Sequence, residues 1–521
     1  TAGHRQCRDF FLPIRFFGVH GMPPPKPYNK GNRYKEILAG YTDKELDTLC
    51  QIKRFMECIQ GDPKFRDLAD KNPNDDGLHD RLKQIGVTID MTEIMHFWKT
   101  EFAGKLIEYQ NDPKGGMDSY PGLQEELDKI PHLKLWEKWN RELTDWYKNR
   151  STNHELKGKS SAFNAWRRRR IASAKSELGF FGTMIDHPLF AFELCAGCSV
   201  QCWFCGFSAE KLTRVFEYTD ENRAFFRDVA QAGVDIFGPM AGFALLYYAT
   251  EPFDNPNYID FMRDFEEITG NPVCTATAVP NKNPDWFRSL ITFYRKRNLP
   301  WPRVSVLSTG MLRKLHELYT PLECRDVRLL MQMRDALRHK AVSGKTMGTD
   351  RDKLGYTQEK VDDLDIIPQG SIACVSGFYV NMQQKWIQLI SPCNAYERWP
   401  KGYRVFDRQT FTDAADYKQK IQDMIARNMK ENIAPDTRLG FRDDIKFSKQ
   451  PDGFTLITPN QRHHFKGDPF LRHLGERISS STLTYSQVYD QVNEKHPGSL
   501  FAIPGTVKDI FDKGLLDETL F

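Results

Sequence analysis

FELCAGCSVQCWFCGF, residues 192–207, places Cys195, Cys198, Cys202 and Cys205 within eleven positions. The last three are spaced C-x3-C-x2-C, and Phe204 stands just before the final one. Three thiolates on one tight loop can hold three irons of a 4Fe-4S cube, leaving the fourth iron without a protein ligand. Fully protein-ligated clusters use four cysteines, so a three-cysteine loop points to catalysis more than to electron storage. A zinc knot is the competing reading. Zinc would call for paired C-x2-C knuckles with a second pair further on, and no second pair follows.

Working outward, LFAFEL (189–194) is an apolar strand that leads into the cysteine loop. VDIFGPMAGFALLYY, VCTATAV (273–279) and RVSVLS (303–308) are further strand candidates, and DWFRSLITFYRKR is a helix between the last two. Strand–helix alternation predicts a parallel sheet. In such folds the chemistry collects at the C-terminal ends of strands, where the cysteine loop sits.

CSVQCWFC resembles the C-x3-C-x-aromatic-C signature of the radical S-adenosylmethionine (SAM) superfamily. The resemblance implies a partial (β/α)6 barrel over 181–370, one 4Fe-4S cluster held by Cys198, Cys202 and Cys205, and SAM bound at the open iron. It implies reductive cleavage of SAM to a 5′-deoxyadenosyl radical that abstracts a substrate hydrogen. It also implies that Phe204 lies against the adenine. Cys195 falls outside the pattern and reads as a buried thiol. Family members carry a GGEP-like run after the second strand; here Ala249, Thr250, Glu251 and Pro252 take that place, with both glycines replaced. By the same resemblance Thr250 and Glu251 would hold the SAM amino group, and Ser305 and Ser308 its ribose or carboxylate.

Length and composition fit this reading. The chain has 521 residues, 40% hydrophobic and 27% charged, with a net charge of +4. That charge is too small on this length to argue for nucleic acid. Arg167–Arg170 is a local basic run that reads as a solvated helix face, or else as a site for an acidic peptide or phosphate. No apolar stretch approaches ~18 residues, so no membrane span is expected. The apolar core of the first residues is broken by Pro13 and Arg15, which does not suit a signal peptide. Eleven cysteines, clustered as they are, suit a reducing, cytoplasmic setting better than a disulfide scaffold.

Four segments are expected. Residues 1–180 read as a helical domain with a Pro- and Gly-rich extended start. Thr42 and Glu45 have capping-box spacing ahead of Leu46, Leu49, Ile52, Phe55, Met56 and Ile59, and Asp90 and Glu93 repeat it before Ile94, Phe97 and Trp98. Residues 371–434 begin with a hairpin, SIACVSGFYVNM then KWIQLISPC, carrying Cys374 on its first arm and Cys393 at the end of its second. No cysteine follows Cys393, which argues against a second, auxiliary cluster. Residues 435–521 read as three short strands and three helices, a winged-helix arrangement. Its candidate recognition helix, Thr484–Lys495, carries Asp490, Glu494 and one lysine, which does not suit DNA. Strand addition of a peptide to the sheet edge suits it better.

The layout from about 40 to 521 resembles the proteusin-type radical SAM epimerases that mature ribosomally made peptides. The resemblance implies conversion of L- to D-residues in a precursor peptide whose leader binds the C-terminal winged helix, with flavodoxin or ferredoxin as electron donor. The mechanism it implies needs a thiol that donates hydrogen to the far face of a Cα radical. Among Cys274, Cys324, Cys374 and Cys393, the last is favoured because it leaves a strand into a loop, with Cys374 as the alternative. A crosslinking or thioether-forming peptide maturase is the rival enzyme. A metal-knot protein that binds a leader peptide or DNA is the rival without catalysis.

Overall fold

The computed structural model describes residues 30–72, 74–90, 93, 125, 129–151, 157–183, 185–334, 336, 341–348 and 370–521. Most of the expected extended start, and the run Ile94, Phe97 and Trp98, lie outside the described residues. The strands are β1 (Phe190–Glu193), β2 (Cys195–Ala196), β3 (Arg214–Val215), β4 (Ala244–Leu245), β5 (Ala276–Thr277), β6 (Arg303–Val306), β7 (Arg328–Met331), β8 (Gly377–Asn381), β9 (Trp386–Pro392), β10 (Tyr403–Thr410), β11 (Lys446–Gln450), β12 (Gly453–Ile457) and β13 (Arg462–Lys466). The fold is mixed α/β, and its contacts divide it into two compact units.

The first unit is drawn from Thr1–Thr152 and Thr275–Lys340. Its long helix Asp43–Gly61 starts where the sequence places it. The Thr42 side chain accepts from Glu45 N–H at 3.2 Å, and Glu45 accepts from Thr42 N–H at 2.8 Å. This unit also holds a parallel sheet, β5-β6-β7, with helices Pro284–Arg295 and Thr309–Leu318 following its first two strands. Arg54, fully buried, donates to the carbonyls of Ile85, His316 and Tyr319 and so ties helix and loop ends together.

The second unit is drawn from Asn153–Cys274, Ala341–Thr349 and Thr357–Phe521. Its central sheet runs β10-β9-β8-β1-β4. β1 is buried along its whole length and pairs in parallel with β4 on one side and β8 on the other. The expected hairpin is present as β8–β9, but it begins at Gly377 and is built into the central sheet beside β1. Phe190, Phe192, Phe237 and Phe378 pack beneath this sheet, with centroids 5.2–5.8 Å apart. Each buried ring contributes about 1.5–3 kcal/mol by the area it removes from water. Among the described residues no sheet closes into a barrel.

The end of the chain is a three-stranded antiparallel sheet, β11-β12-β13, followed by helices Pro469–Ser479, Tyr485–Lys495 and Ala502–Asp512. Phe454, Leu456, Leu474, Ile478, Val492 and Ile510 form its buried core. Thr484 and Gln487 make the expected capping box. Among the described residues no helix is long and apolar enough to cross a membrane.

The basic run is neither a solvated face nor an open anion site. Arg167, Arg169 and Arg170 are buried, and only Arg168 is exposed. Arg169 grips the Glu518 carboxylate through two hydrogen bonds, at 2.8 and 2.6 Å, and Arg170 pairs with the same group. Arg404 bridges Glu177 at 2.6 Å and Asp444 at 3.0 Å, and Arg442 pairs with Asp444 at 2.8 Å. The cluster fastens the last residues of the chain to the helix Ser161–Thr183. Charge composition alone gave no sign of it, because the partners lie hundreds of residues away. Glu518→Gln leaves two buried arginines short of their counter-charge, and removing one partner of a buried pair costs about 3–5 kcal/mol. A fall in the denaturation midpoint of that order is expected. Arg168→Ala, on the exposed face, stays within about 0.5 kcal/mol of the parent.

Candidate functional site

The cysteine loop is pinned at its mouth. Cys198 N–H donates to Glu210 O at 2.9 Å, Leu212 N–H to Cys198 O at 3.2 Å, and Thr213 N–H to Ala196 O at 2.9 Å. Gly197 has φ +88°, and a Cβ there would lie 2.4 Å from the Lys211 carbonyl oxygen. Only glycine fits that turn and that approach. Gly197→Ala is therefore expected to open the loop mouth, and iron retained after reconstitution should fall with it.

Gln201, the residue just before Cys202, holds the loop from inside. Its amide donates to the carbonyls of Cys198, Ala209 and Glu210 at 2.8–3.2 Å, while its own backbone takes φ +51°. Lys345 Nζ donates to the Gln201 side-chain oxygen at 3.1 Å, and Lys345 N–H to Cys205 O at 3.0 Å. Ala209 N–H points at Cys205 Sγ at 3.4 Å. None of these contacts follows a periodic pattern, and the turn-forming Gly197 is their one trace in the chain's pattern.

Cys198, Cys202 and Cys205 are all half-buried. Burial raises the Cys198 thiol to about 11. Burial, then the Cys198 and Cys205 sulfurs, raise Cys202 to about 12, so Cys202 lies within electrostatic reach of both other thiols. A bound cation would reverse these shifts. Cys195 is buried on β2, and its carbonyl accepts from Asn381 Nδ2 at 2.9 Å, as suits a core thiol. Among the described residues no three His, Cys, Asp or Glu side chains gather around one point as a single ion requires. A cubane takes each thiolate on its own iron, so its ligands need not converge on a single point. Three adjacent thiols on a pinned loop, with an N–H aimed at one sulfur, fit that group.

The Ala249–Pro252 run folds onto this loop. Glu251 is buried, accepts from Phe253 N–H at 3.1 Å, and acts electrostatically on Cys198 and Cys202. Asp254, absent from the sequence reading, accepts from Ser199 N–H at 2.8 Å and ties the run to the cysteine loop. Glu193, at the C-terminal end of β1, was also missed. Its carboxylate accepts from Ala249 N–H at 2.7 Å and Asn381 Nδ2 at 3.0 Å, and burial raises its pKa. Thr250 is half-buried beside Glu251, and Phe204 is half-buried with its ring edge-on to Trp203 at 5.5 Å. Ser305 and Ser308 belong to the first unit. Ser305 lies on the less buried face of β6, and Ser308 caps the helix Thr309–Leu318, accepting from Met311 N–H at 3.1 Å.

The two candidate donor thiols differ sharply. Cys393 is 0% exposed and sits beside Arg404, Glu177, Asp443 and Asp444 of the ionic cluster, with its thiol pushed far above the ordinary range by burial. Cys374 is half-buried. It stands two residues after Ile372, whose side chain comes within 2.9 Å of where a Cβ on Gly206 would lie. It is thus the thiol on the segment that touches the cysteine loop.

Comparison with known proteins gives one relationship of family rank. The chain is 31% identical over 494 residues to the uncharacterized protein y4wI of Sinorhizobium fredii (strain NBRC 101917 / NGR234), covering 94% of this chain and 91% of that one. The chain belongs to the same family as y4wI. No protein-family profile matches it, and no solved structure does.

Proposed function

We propose that this protein is a radical SAM peptide epimerase that inverts L-residues of a ribosomally made precursor. The observation that carries the reading is the junction of the C-x3-C-x2-C loop with the Ala249–Pro252 run, fastened by Asp254 on Ser199 N–H and with Glu251 buried beside Cys198 and Cys202. When bound, the 4Fe-4S cluster and SAM supply a 5′-deoxyadenosyl radical that removes a Cα hydrogen from the peptide. Cys198, Cys202 and Cys205 bind the cluster, Gly197 and Gln201 shape their loop, and Thr250 and Glu251 receive the SAM amino group. Phe204 lies against the adenine. In this reading the second unit's β1 and β4 begin a partial (β/α)6 barrel, and residues 435–521 are a winged-helix element.

The hydrogen donor is Cys374. The half-buried setting of Cys374 on the loop-contacting segment supports this, and the enclosure of Cys393 among buried charges argues against the latter. A thiol suits the step because its S–H bond is weak enough to quench a Cα radical, and no base does this at an unactivated Cα. The leader would add a strand to an edge of the β11-β12-β13 sheet, where backbone donors and acceptors are open. A flavodoxin- or ferredoxin-type protein would supply electrons.

Incubating the enzyme with SAM, reductant and a precursor peptide in D2O tests the reading. An epimerase with a solvent-exchanging thiol adds one deuterium per inverted residue and changes the mass in no other way. Loss of hydrogens without deuterium gain would favour the crosslinking alternative.

A further inference from the structure

Tyr248, the residue before the Ala249–Pro252 run, is 7% exposed. Its ring stacks on Phe207 with centroids 4.2 Å apart. Its hydroxyl lies against the Cys374–Val375 backbone, within electrostatic reach of the Cys374 thiol, yet makes no hydrogen bond of good geometry. A buried hydroxyl held only by poorly aligned backbone groups recovers little of the free energy lost when it leaves water. Such a group calls for an explanation, and a redox role is one. From Tyr248 a chain of rings runs outward. Tyr379 lies 4.8 Å away and Trp386 a further 4.8 Å, both centroid to centroid. The Tyr379 hydroxyl faces the Glu193 carboxylate. Trp386 is half-buried, its indole N–H on the exposed Gln384 side chain at 2.8 Å.

A thiol that gives up a hydrogen atom is left as a thiyl radical. The enzyme turns over again only when that radical regains one electron and one proton. We propose that Tyr248, Tyr379 and Trp386 form a relay that restores the Cys374 thiol after each donation, an inference that rests on the epimerase reading above. The thiyl takes the hydrogen atom of the Tyr248 O–H, forming S–H and breaking O–H. The Tyr248 phenoxyl accepts an electron from Tyr379 and a proton from solvent. Tyr379 hands its phenol proton to Glu193 as it is oxidised and recovers it when Trp386 reduces it. Trp386 is reduced in turn at the surface by a one-electron donor of the flavin or iron–sulfur protein class. The balance is one electron from that donor and one proton from solvent per inversion. Phenol O–H and thiol S–H bonds are close in strength, and rings in contact exchange electrons readily, so no step is strongly uphill.

The test uses reconstituted full-length enzyme with SAM and sodium dithionite and no peptide, so that the Cys374 thiol faces the radical directly. Freeze-quenched samples are read by electron paramagnetic resonance, and 5′-deoxyadenosine is measured in the same samples. In Trp386→Phe, where the outlet is blocked, a tyrosyl signal is expected to outlast the wild-type signal several-fold and to narrow with ring-deuterated tyrosine. Adding Tyr248→Phe should remove it. Formation of 5′-deoxyadenosine without any tyrosyl signal, or a signal unchanged by Tyr248→Phe, overturns the relay alone. A protein that binds no iron and cleaves no SAM overturns the enzyme reading, and the relay falls with it.

Discussion

Replacing Cys198, Cys202 or Cys205 by Ala is expected to abolish both the broad visible absorption of a reconstituted cluster and all SAM cleavage. In the proposed cluster each thiolate would take its own iron, so losing any one of them would leave an iron without its protein ligand. Cys195 is buried on β2, where its thiol serves packing. Cys195→Ala should keep most of its iron and lose a little stability to the small cavity. Equal iron loss in Cys195→Ala would show that the ligand set is wrongly drawn. A SAM-cleaving cluster in any one of the other three variants would remove the basis of the assignment.

The second large effect is expected at the hairpin. Cys374→Ala should end the formation of D-residues and the uptake of solvent deuterium when a precursor peptide is supplied, because the Cα radical then has no protein donor on its far face. It returns to the L-form or decays. Cys393→Ala should still give deuterated D-residues, with a lower denaturation midpoint. Its thiol fills space beside Arg404 and Glu177, and deleting it leaves a void next to buried charge. The opposite result, inversion lost in Cys393→Ala and kept in Cys374→Ala, would return the donor role to Cys393. Inversion surviving both changes would end the thiol-donor mechanism for this protein.

Much of this was legible in the chain because it repeats or clusters. The cysteine spacing, the apolar run ending at Leu194, the capping pairs Thr42–Glu45 and Thr484–Gln487, and the strand–helix alternation all depend on neighbours in sequence. What the sequence hid depends on neighbours in space. β8 pairs with β1 across nearly two hundred residues, so the hairpin read as an appendage. Glu193, Gln201 and Asp254 are single polar residues whose roles appear only with their backbone partners in place. Arg169 and Arg170 looked solvated because Glu518 is so distant in the chain. The same cluster means that the C-terminal unit cannot be cut away cleanly. The proposed leader recognition is better probed by point changes on the edge strands β11 and β13 than by truncation.

The Cys198–Cys205 loop is proposed to carry a catalytic 4Fe-4S cluster. The most direct measurement is iron, sulfide and zinc analysis after anaerobic reconstitution, with 5′-deoxyadenosine quantified on adding SAM and dithionite. About four irons and four sulfides per chain are expected, with 5′-deoxyadenosine formed. One zinc per chain, no sulfide and intact SAM would contradict this and make the loop a structural knot.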